Sequence, residues 1–133
     1  MNDDVFAPIP EDEESLKQYI DECKLALKAI RRDRDEAEEV VTLNEIGNTY
    51  RKLGDNDNAL GSYFQSLQVT LETEEAVWEA ATRFYIALVY IDTDNLPQAE
   101  FELEQAYDHF MAANHPQTEI VYRKLEEVRN MKS

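Results

Sequence analysis

The sequence predicts an all-α protein built from antiparallel helix hairpins, with about six helices. Apolar residues recur at steps of three and four through most of the chain, which is the pattern of amphipathic helices. Only three Gly and four Pro occur among the 133 residues, too few for an all-β protein with many tight turns. The middle of the chain also repeats itself, and a fixed period of roughly 20–50 residues is typical of an α-solenoid.

The internal repeat covers about residues 35–113 and has a step of 40 residues. Four matched sets define it: Ile46-Gly47 with Ile86-Ala87, Tyr50 with Tyr90, Ala59 with Ala99, and Tyr63 with Leu103. Small residues at Gly47 and Ala87, and at Ser66 and Ala106, are predicted to lie where two helices approach closely. No single unit of such a repeat can bury its apolar face alone, so neighbouring units must stack.

The first predicted helix begins near Glu11 or Asp12, where a run of acids suits the positive end of a helix dipole. Its apolar stripe consists of Leu16, Tyr19, Ile20, Cys23, Leu27 and Ile30. The second helix is predicted to begin after Asp35, which has the spacing of a capping box with Glu38. It ends before Gly54, which takes the position just beyond the helix that favours Gly.

The third predicted helix follows the turn at 54–57 and runs to about Leu71. The fourth is predicted to start at Thr73 and to extend to Ile91. This fourth segment is the most apolar part of the chain, and a helix that is apolar nearly all round is normally central.

The fifth predicted helix carries Pro97 in its first turn, a position that tolerates Pro. The Asn-His-Pro sequence at 114–116 ends it, and the sixth helix begins at about Gln117. Residues 1–10 are predicted to be an extended segment, because its two prolines bias the preceding residues away from helix. Residues 11–133 are predicted to form a single domain, since the chain is long enough for one core.

The chain has 13 basic and 29 acidic residues, and a net charge of −16. This balance argues against nucleic acid or an anionic membrane as the partner, because phosphates would be repelled. Two interpretations of the charge stay open. In the first, the charge favours a basic partner. In the second, it is a solvated acidic surface, for instance in a high-salt habitat.

The single cysteine, Cys23, rules out an internal disulfide and suits a reducing compartment. Its place in a helical stripe favours a small core residue over a reactive thiol. The N-terminus carries acids where a signal peptide needs bases, and no apolar run approaches the length of a membrane span. The sequence therefore predicts a cytoplasmic protein without membrane insertion.

The pattern L-x-x-I-G-x-x-Y at 43–50, followed by Gly54 and by A-x-x-x-Y at 59–63, resembles a tetratricopeptide repeat. Residues 83–106 repeat the pattern with Ile86-Ala87, Tyr90, Ala99 and Leu103. The family's usual unit has about 34 residues, so the step of 40 is similar to the long-helix variety found in kinesin light chains and bacterial peptide-sensing regulators. The tryptophan and proline signatures of the family are missing, and the resemblance depends on spacing.

The resemblance implies that the first helices of successive repeats line a concave groove that holds a peptide or helix. Projected onto this chain, the predicted peptide-binding residues are Asn44, Asn48, Arg51, Phe84, Tyr85, Leu88, Ile91 and Lys124. Asn44 and Asn48 are four apart, so both amides are expected on one side of their helix, where they could bond a bound backbone. The competing interpretation is that the two amides are solvated surface and the apolar residues are core.

Several other kinds of site are not predicted. The Asp-rich turns at 55–57 and 92–95 lack the Gly and the Glu that a calcium loop needs at its sixth and twelfth positions. We find no pairing of nucleophile and base, no phosphate loop and no cluster of metal ligands in the sequence. No catalytic residue, metal or cofactor is therefore predicted, and the chain is not expected to be an enzyme.

The resemblance implies a non-catalytic adaptor or assembly factor with another protein or peptide as its partner. The family's clamp for a C-terminal carboxylate would need cations that this chain lacks at Asn44 and at two positions of the sixth helix. Two alternatives stay open. In the first, the chain is the sensor half of a regulatory system that binds a signal peptide. In the second, it is a scaffold that self-associates through its terminal helices. The apolar segment 5–10 is a further candidate for self-association or for packing onto the array.

Overall fold

The computed structural model describes residues 12–132. All regular structure in that range is α-helical, as predicted. The six helices are α1 (Glu13–Arg32), α2 (Glu36–Lys52), α3 (Asn56–Thr73), α4 (Ala76–Asp92), α5 (Leu96–Ala112) and α6 (Thr118–Lys132). The predicted extended segment at residues 1–10 lies outside the described residues.

The five turns that connect these six helices share one backbone geometry. One residue of each turn is left-handed, with φ between 52° and 79°: Arg34, Gly54, Glu74, Asp94 and Asn114. The next residue donates its backbone N–H to the carbonyl five positions earlier, at 2.7–3.1 Å, which is a Schellman-type helix end. The left-handed residues are 20 apart, so each helix reverses direction after the same number of residues and every second helix repeats at a step of 40.

Most predicted helix ends agree with the structure, and one does not. Asp35 caps α2 by accepting the backbone N–H of Glu38 at 3.2 Å, Gly54 has φ +79° beyond its end, and Pro97 lies in the first turn of α5. The prediction that the fourth helix starts at Thr73 is wrong, because α3 continues through that residue. The turn falls at Glu74 instead, a residue type that gives no signal for a left-handed position.

Consecutive helices pack against each other, and α2 also contacts α4. The result is the predicted tetratricopeptide-like solenoid, in which α1, α3 and α5 alternate with α2, α4 and α6. Close approach explains the small residue at Gly47, where an added Cβ would meet the ring of Tyr63. Cys23 is buried in the cluster between α1 and α2, in agreement with its predicted role in the core.

Candidate functional site

The candidate site is the surface presented by the alternate helices α2, α4 and α6, which we call the inner face. Two side-chain pairs connect α2 to α4 across this face. Asn44 donates to Thr82, and Arg51 pairs with Asp92. By contrast, α4 and α6 border an open cavity. The inner face therefore has a closed part between α2 and α4 and an open part between α4 and α6.

Asn44 does not match its predicted place on an accessible groove. Its side chain is buried, with 7% of the residue exposed. Its amide nitrogen donates to the hydroxyl of Thr82 at 3.1 Å, and that hydroxyl lies 3.2 Å from the hydroxyl of Ser66. Buried amides need such partners, because an unsatisfied one costs about 1–3 kcal/mol. Asn44 thus joins α2, α3 and α4 in the interior, and its amide is not available to a bound backbone.

Asn48 and Arg51 are partly exposed, and each is held by a neighbour. The hydroxyl of Tyr63 donates to the side-chain carbonyl of Asn48. Arg51 donates to both carboxylate oxygens of Asp92, at 2.6 and 3.1 Å, which is the geometry that holds a guanidinium most firmly. These contacts orient both side chains at the closed part of the inner face.

Phe84 and Tyr85 are brought together at the open part of the inner face. Their ring centroids are 6.2 Å apart, and Tyr85 also stacks on Tyr63 at 5.7 Å with an interplanar angle of 17°. Both residues line a cavity of about 300 Å³. Its lining consists of Val77, Trp78, Ala81, Phe84, Tyr85, Phe110, His115, Gln117, Ile120 and Val121.

The other three predicted residues lie away from this cavity. Leu88 is half-buried. Ile91 is half-buried too and, like Phe84, packs against the apolar core shared by α4, α5 and α6. Lys124 pairs with Glu127 one turn along α6, at 3.1 Å. The structure therefore brings together two of the eight predicted residues, and places the rest around them or in the interior.

Trp78 and Ile120 line the cavity, and the sequence did not single them out. Ile120 is 50% exposed, a large exposed fraction for an apolar side chain. The available signal was the step of 40, because Ile120 falls where α4 has the buried Ala80 and where α2 has Val40. The structure therefore leaves a large apolar side chain half exposed at this position of α6, at the wall of the cavity.

A second unpredicted cluster connects α4 and α5 through ionic contacts. Glu79 accepts from Arg83 at 2.8 Å and lies 3.2 Å from His109, and Arg83 also donates to Glu102 at 2.8 Å. Burial acts to lower the pKa of Arg83, but its bonds to Glu79 and Glu102 outweigh that effect and hold the pKa above its ordinary value. Each of these contacts satisfies a group that is 13–33% exposed, so the cluster stabilises the packing of α4 on α5.

Two further observations concern the described part of the chain as a whole. None of the helices between residues 12 and 132 is both long and apolar enough to span a membrane. Over the same residues, His, Cys, Asp and Glu do not gather in threes or more in a way that could hold a metal ion.

The chain matches the model of a known protein family. A family model described as tetratricopeptide repeat matches residues 38–112, which covers most of α2, all of α3 and α4, and α5. The match spans more than half of the chain and includes both units of the repeat. A search of curated proteins finds no match.

Proposed function

Because the chain belongs to the tetratricopeptide repeat family, we propose that it is a non-catalytic adaptor or assembly factor that binds a peptide or helix of another protein on its inner face. Repeats of this family mediate protein–protein interactions, which gives the class of function. The choice of the inner face is our own and is supported by the geometry of its open part. Phe84 and Tyr85 contribute there, and Asn48, Arg51, Leu88 and Lys124 surround them.

The observation that carries the proposal is the cavity between α4 and α6. All of its lining residues except His115 and Gln117 present aliphatic or aromatic carbon, and Ile120 is half exposed to water. Covering such surface is favourable by roughly 25 cal/mol per Å². Exposed apolar surface of this kind marks interaction sites in soluble proteins.

The closed part of the inner face makes the open part rigid. Tyr85 is stacked on Tyr63, whose hydroxyl is held by Asn48, and Arg51 fixes α2 to Asp92 at the end of α4. A wall that is already ordered loses little conformational entropy when a partner binds. The polar contacts of α2 therefore hold the wall of the open part in place for a partner.

Two exposed apolar residues allow a matched test of this face. Ile120 borders the cavity, whereas Phe101 lies on α5 outside it, and both are 50% exposed. We expect affinity purification from the source organism to recover the same proteins with the wild type and with Phe101→Lys. Ile120→Lys should lose them while retaining the same circular dichroism and melting temperature. Equal recovery by all three proteins would contradict binding at the inner face.

The sensor alternative predicts a different captured species. An adaptor should retain a large protein, whereas a sensor should retain a short peptide that exchanges with free peptide. The proposal of self-assembly through the terminal helices has less support, because nine of the twelve exposed residues of α1 are charged. Light scattering at several concentrations tests it, and a constant monomer mass would exclude it.

A further inference from the structure

We propose that the cavity between α4 and α6 receives one large apolar side chain of the partner, and that a Lys or Arg next to this side chain pairs with Glu74 and Glu75. This inference rests on the proposed function, because the cavity belongs to the same inner face. It adds the chemistry of the partner: an apolar anchor flanked by positive charge.

The size of the cavity limits what it can hold. Its volume of about 300 Å³ is at the lower end of the roughly 300–1,000 Å³ of small-molecule sites. The walls are aromatic on the side of α4, where Trp78, Phe84 and Tyr85 follow each other along one face of the helix, and Ile120 closes the opposite side. A single Leu, Met or aromatic side chain in such a pocket is the usual anchor of a protein interface.

Two acidic residues precede the helix that forms one wall of the cavity. Glu74 and Glu75 directly precede α4, and both are exposed. Val77 and Trp78, the second and third residues of that helix, line the cavity. Glu75 is the N-terminal cap residue of α4, but its side chain makes no capping bond. Both exposed glutamates therefore lie within four residues of the cavity-lining Val77 and Trp78.

The basic groups nearest in the chain are already engaged with acids. Arg83 is bonded to Glu79 and Glu102, and Arg123 pairs with Glu119 at 3.1 Å. The ten lining residues themselves include no Lys, Arg, Asp or Glu. The charge next to the pocket thus comes from Glu74 and Glu75, and a cation of the partner complements it. The net charge of −16 would accelerate the encounter with such a partner.

Trp78 supplies a direct signal for occupancy. It is the only Trp of the chain and lines the cavity, so its emission should change when an apolar side chain replaces water beside the indole. A fluorescence titration therefore measures binding at the cavity itself and distinguishes it from binding elsewhere on the array.

The test begins with a random dodecamer peptide library displayed on phage and selected on the full chain. We expect enriched peptides to contain a Trp, Phe, Leu or Met with a Lys or Arg within three positions. Synthetic copies, with Phe in place of any peptide Trp, should change the Trp78 emission. Ala81→Leu, which fills the cavity, should lower the affinity of these peptides at least tenfold. The double change Glu74→Lys/Glu75→Lys should do the same. The effect of the charge reversal should shrink as salt is raised.

Control variants separate failure of this inference from failure of the proposed function. Val41 lies in α2 at the place that Ala81 has in α4, 40 residues later, and it is 50% exposed. The inference would be overturned, with inner-face binding intact, by peptides whose affinity falls with Val41→Lys but is unchanged by the substitutions at Ala81, Glu74 and Glu75. Peptides that respond only to Phe101→Lys would contradict the proposed function. If Ala81→Leu lowers the melting temperature, Ile120→Lys replaces it as the variant that alters the cavity.

Discussion

Replacing Gly47 with Ala should destabilise the protein, although Ala is the better helix former. Gly47 lies inside α2, and an ideal Cβ built on it would stand 2.6 Å from Cδ1 and 2.8 Å from Cζ of Tyr63, and closer still to Cε1. The Tyr63 ring has no free space to move into. It is fully buried, it stacks on Tyr85, and its hydroxyl is bonded to Asn48.

The magnitude follows from opposing effects. In a helix interior Gly→Ala gains about 0.5–1 kcal/mol of helix propensity. Overpacking a filled core costs about 1–3 kcal/mol, and displacing the ring also weakens the Tyr63–Asn48 hydrogen bond, which is worth about 1 kcal/mol. The net loss should be about 1–3 kcal/mol in the free energy of unfolding.

Gly61 provides the matched control, because it lies inside α3 and has no atom within 4 Å of its ideal Cβ. Gly61→Ala should raise the free energy of unfolding by about 0.5–1 kcal/mol, from helix propensity alone. Urea unfolding followed by circular dichroism at 222 nm measures both variants. The repeat also suggests a rescue: the equivalents of Gly47 and Tyr63 are Ala87 and Leu103. Gly47→Ala should therefore cost less in a Tyr63→Leu background than in the wild type.

Two results would refute this reasoning. One is a Gly47→Ala protein at least as stable as Gly61→Ala, which would mean that the Tyr63 ring yields without cost. The other is an equal cost of Gly47→Ala with Tyr63 and with Leu at that position. A double-mutant cycle reports this coupling directly, provided that all four proteins have the same urea dependence.

Three further predictions concern backbone, charge and pH. Glu74→Gly should stabilise the chain by about 0.5–1 kcal/mol in urea unfolding, because Glu74 has φ 57° and Gly adopts that region without strain; Glu74→Ala, which removes the charge but keeps a Cβ, should not. Arg83→Met should lower the free energy of unfolding by about 1–3 kcal/mol, because it leaves the carboxylate of Glu102 without this partner and leaves His109 as the remaining contact of Glu79, and Arg83→Lys should recover part of the loss; a neutral Arg83→Met would refute this. Burial raises the pKa of Tyr63, so the stability linked to its neutral phenol is complete below the unfolded value of about 10 and is lost as pH rises above it. Absorbance at 295 nm should show this phenol resisting ionisation until the chain unfolds, and Tyr63→Phe should lose less stability between pH 9 and 11.

The fold was predictable because its information is local and repeated. Helix periodicity, the cap at Asp35 and the Gly at position 54 each follow from short stretches of sequence, and all agree with the structure. The turn at Glu74 was placed too early because Glu is not a residue that marks a left-handed position. Glu74 instead follows the 20-residue spacing of the left-handed turn residues. This spacing becomes visible only when all five turns are compared.

The candidate site was less predictable because its contacts join distant parts of the chain. Asn44 and Thr82 are 38 residues apart, and Arg51 and Asp92 are 41 apart. A helical projection shows which way a side chain leaves its own helix, but it does not show how near the next helix comes. Asn44 was predicted to face a groove because α2 alone leaves it open, and it is buried because α4 covers it.

The two repeats differ in chemistry at equivalent positions, and this difference explains why the inner face is closed at one junction and open at the next. Between α2 and α4, Asn44 and Ser66 bond to Thr82, and these contacts join the helices. Forty residues later the equivalents of Asn44 and Ser66 are Phe84 and Ala106, which cannot form that network. The second junction is held by apolar packing in the core instead, and Phe84 remains half-buried at the cavity wall. The repeated backbone therefore has one junction joined by polar contacts and one held by apolar packing, and it is the second junction that leaves the apolar cavity to which our proposal assigns the partner.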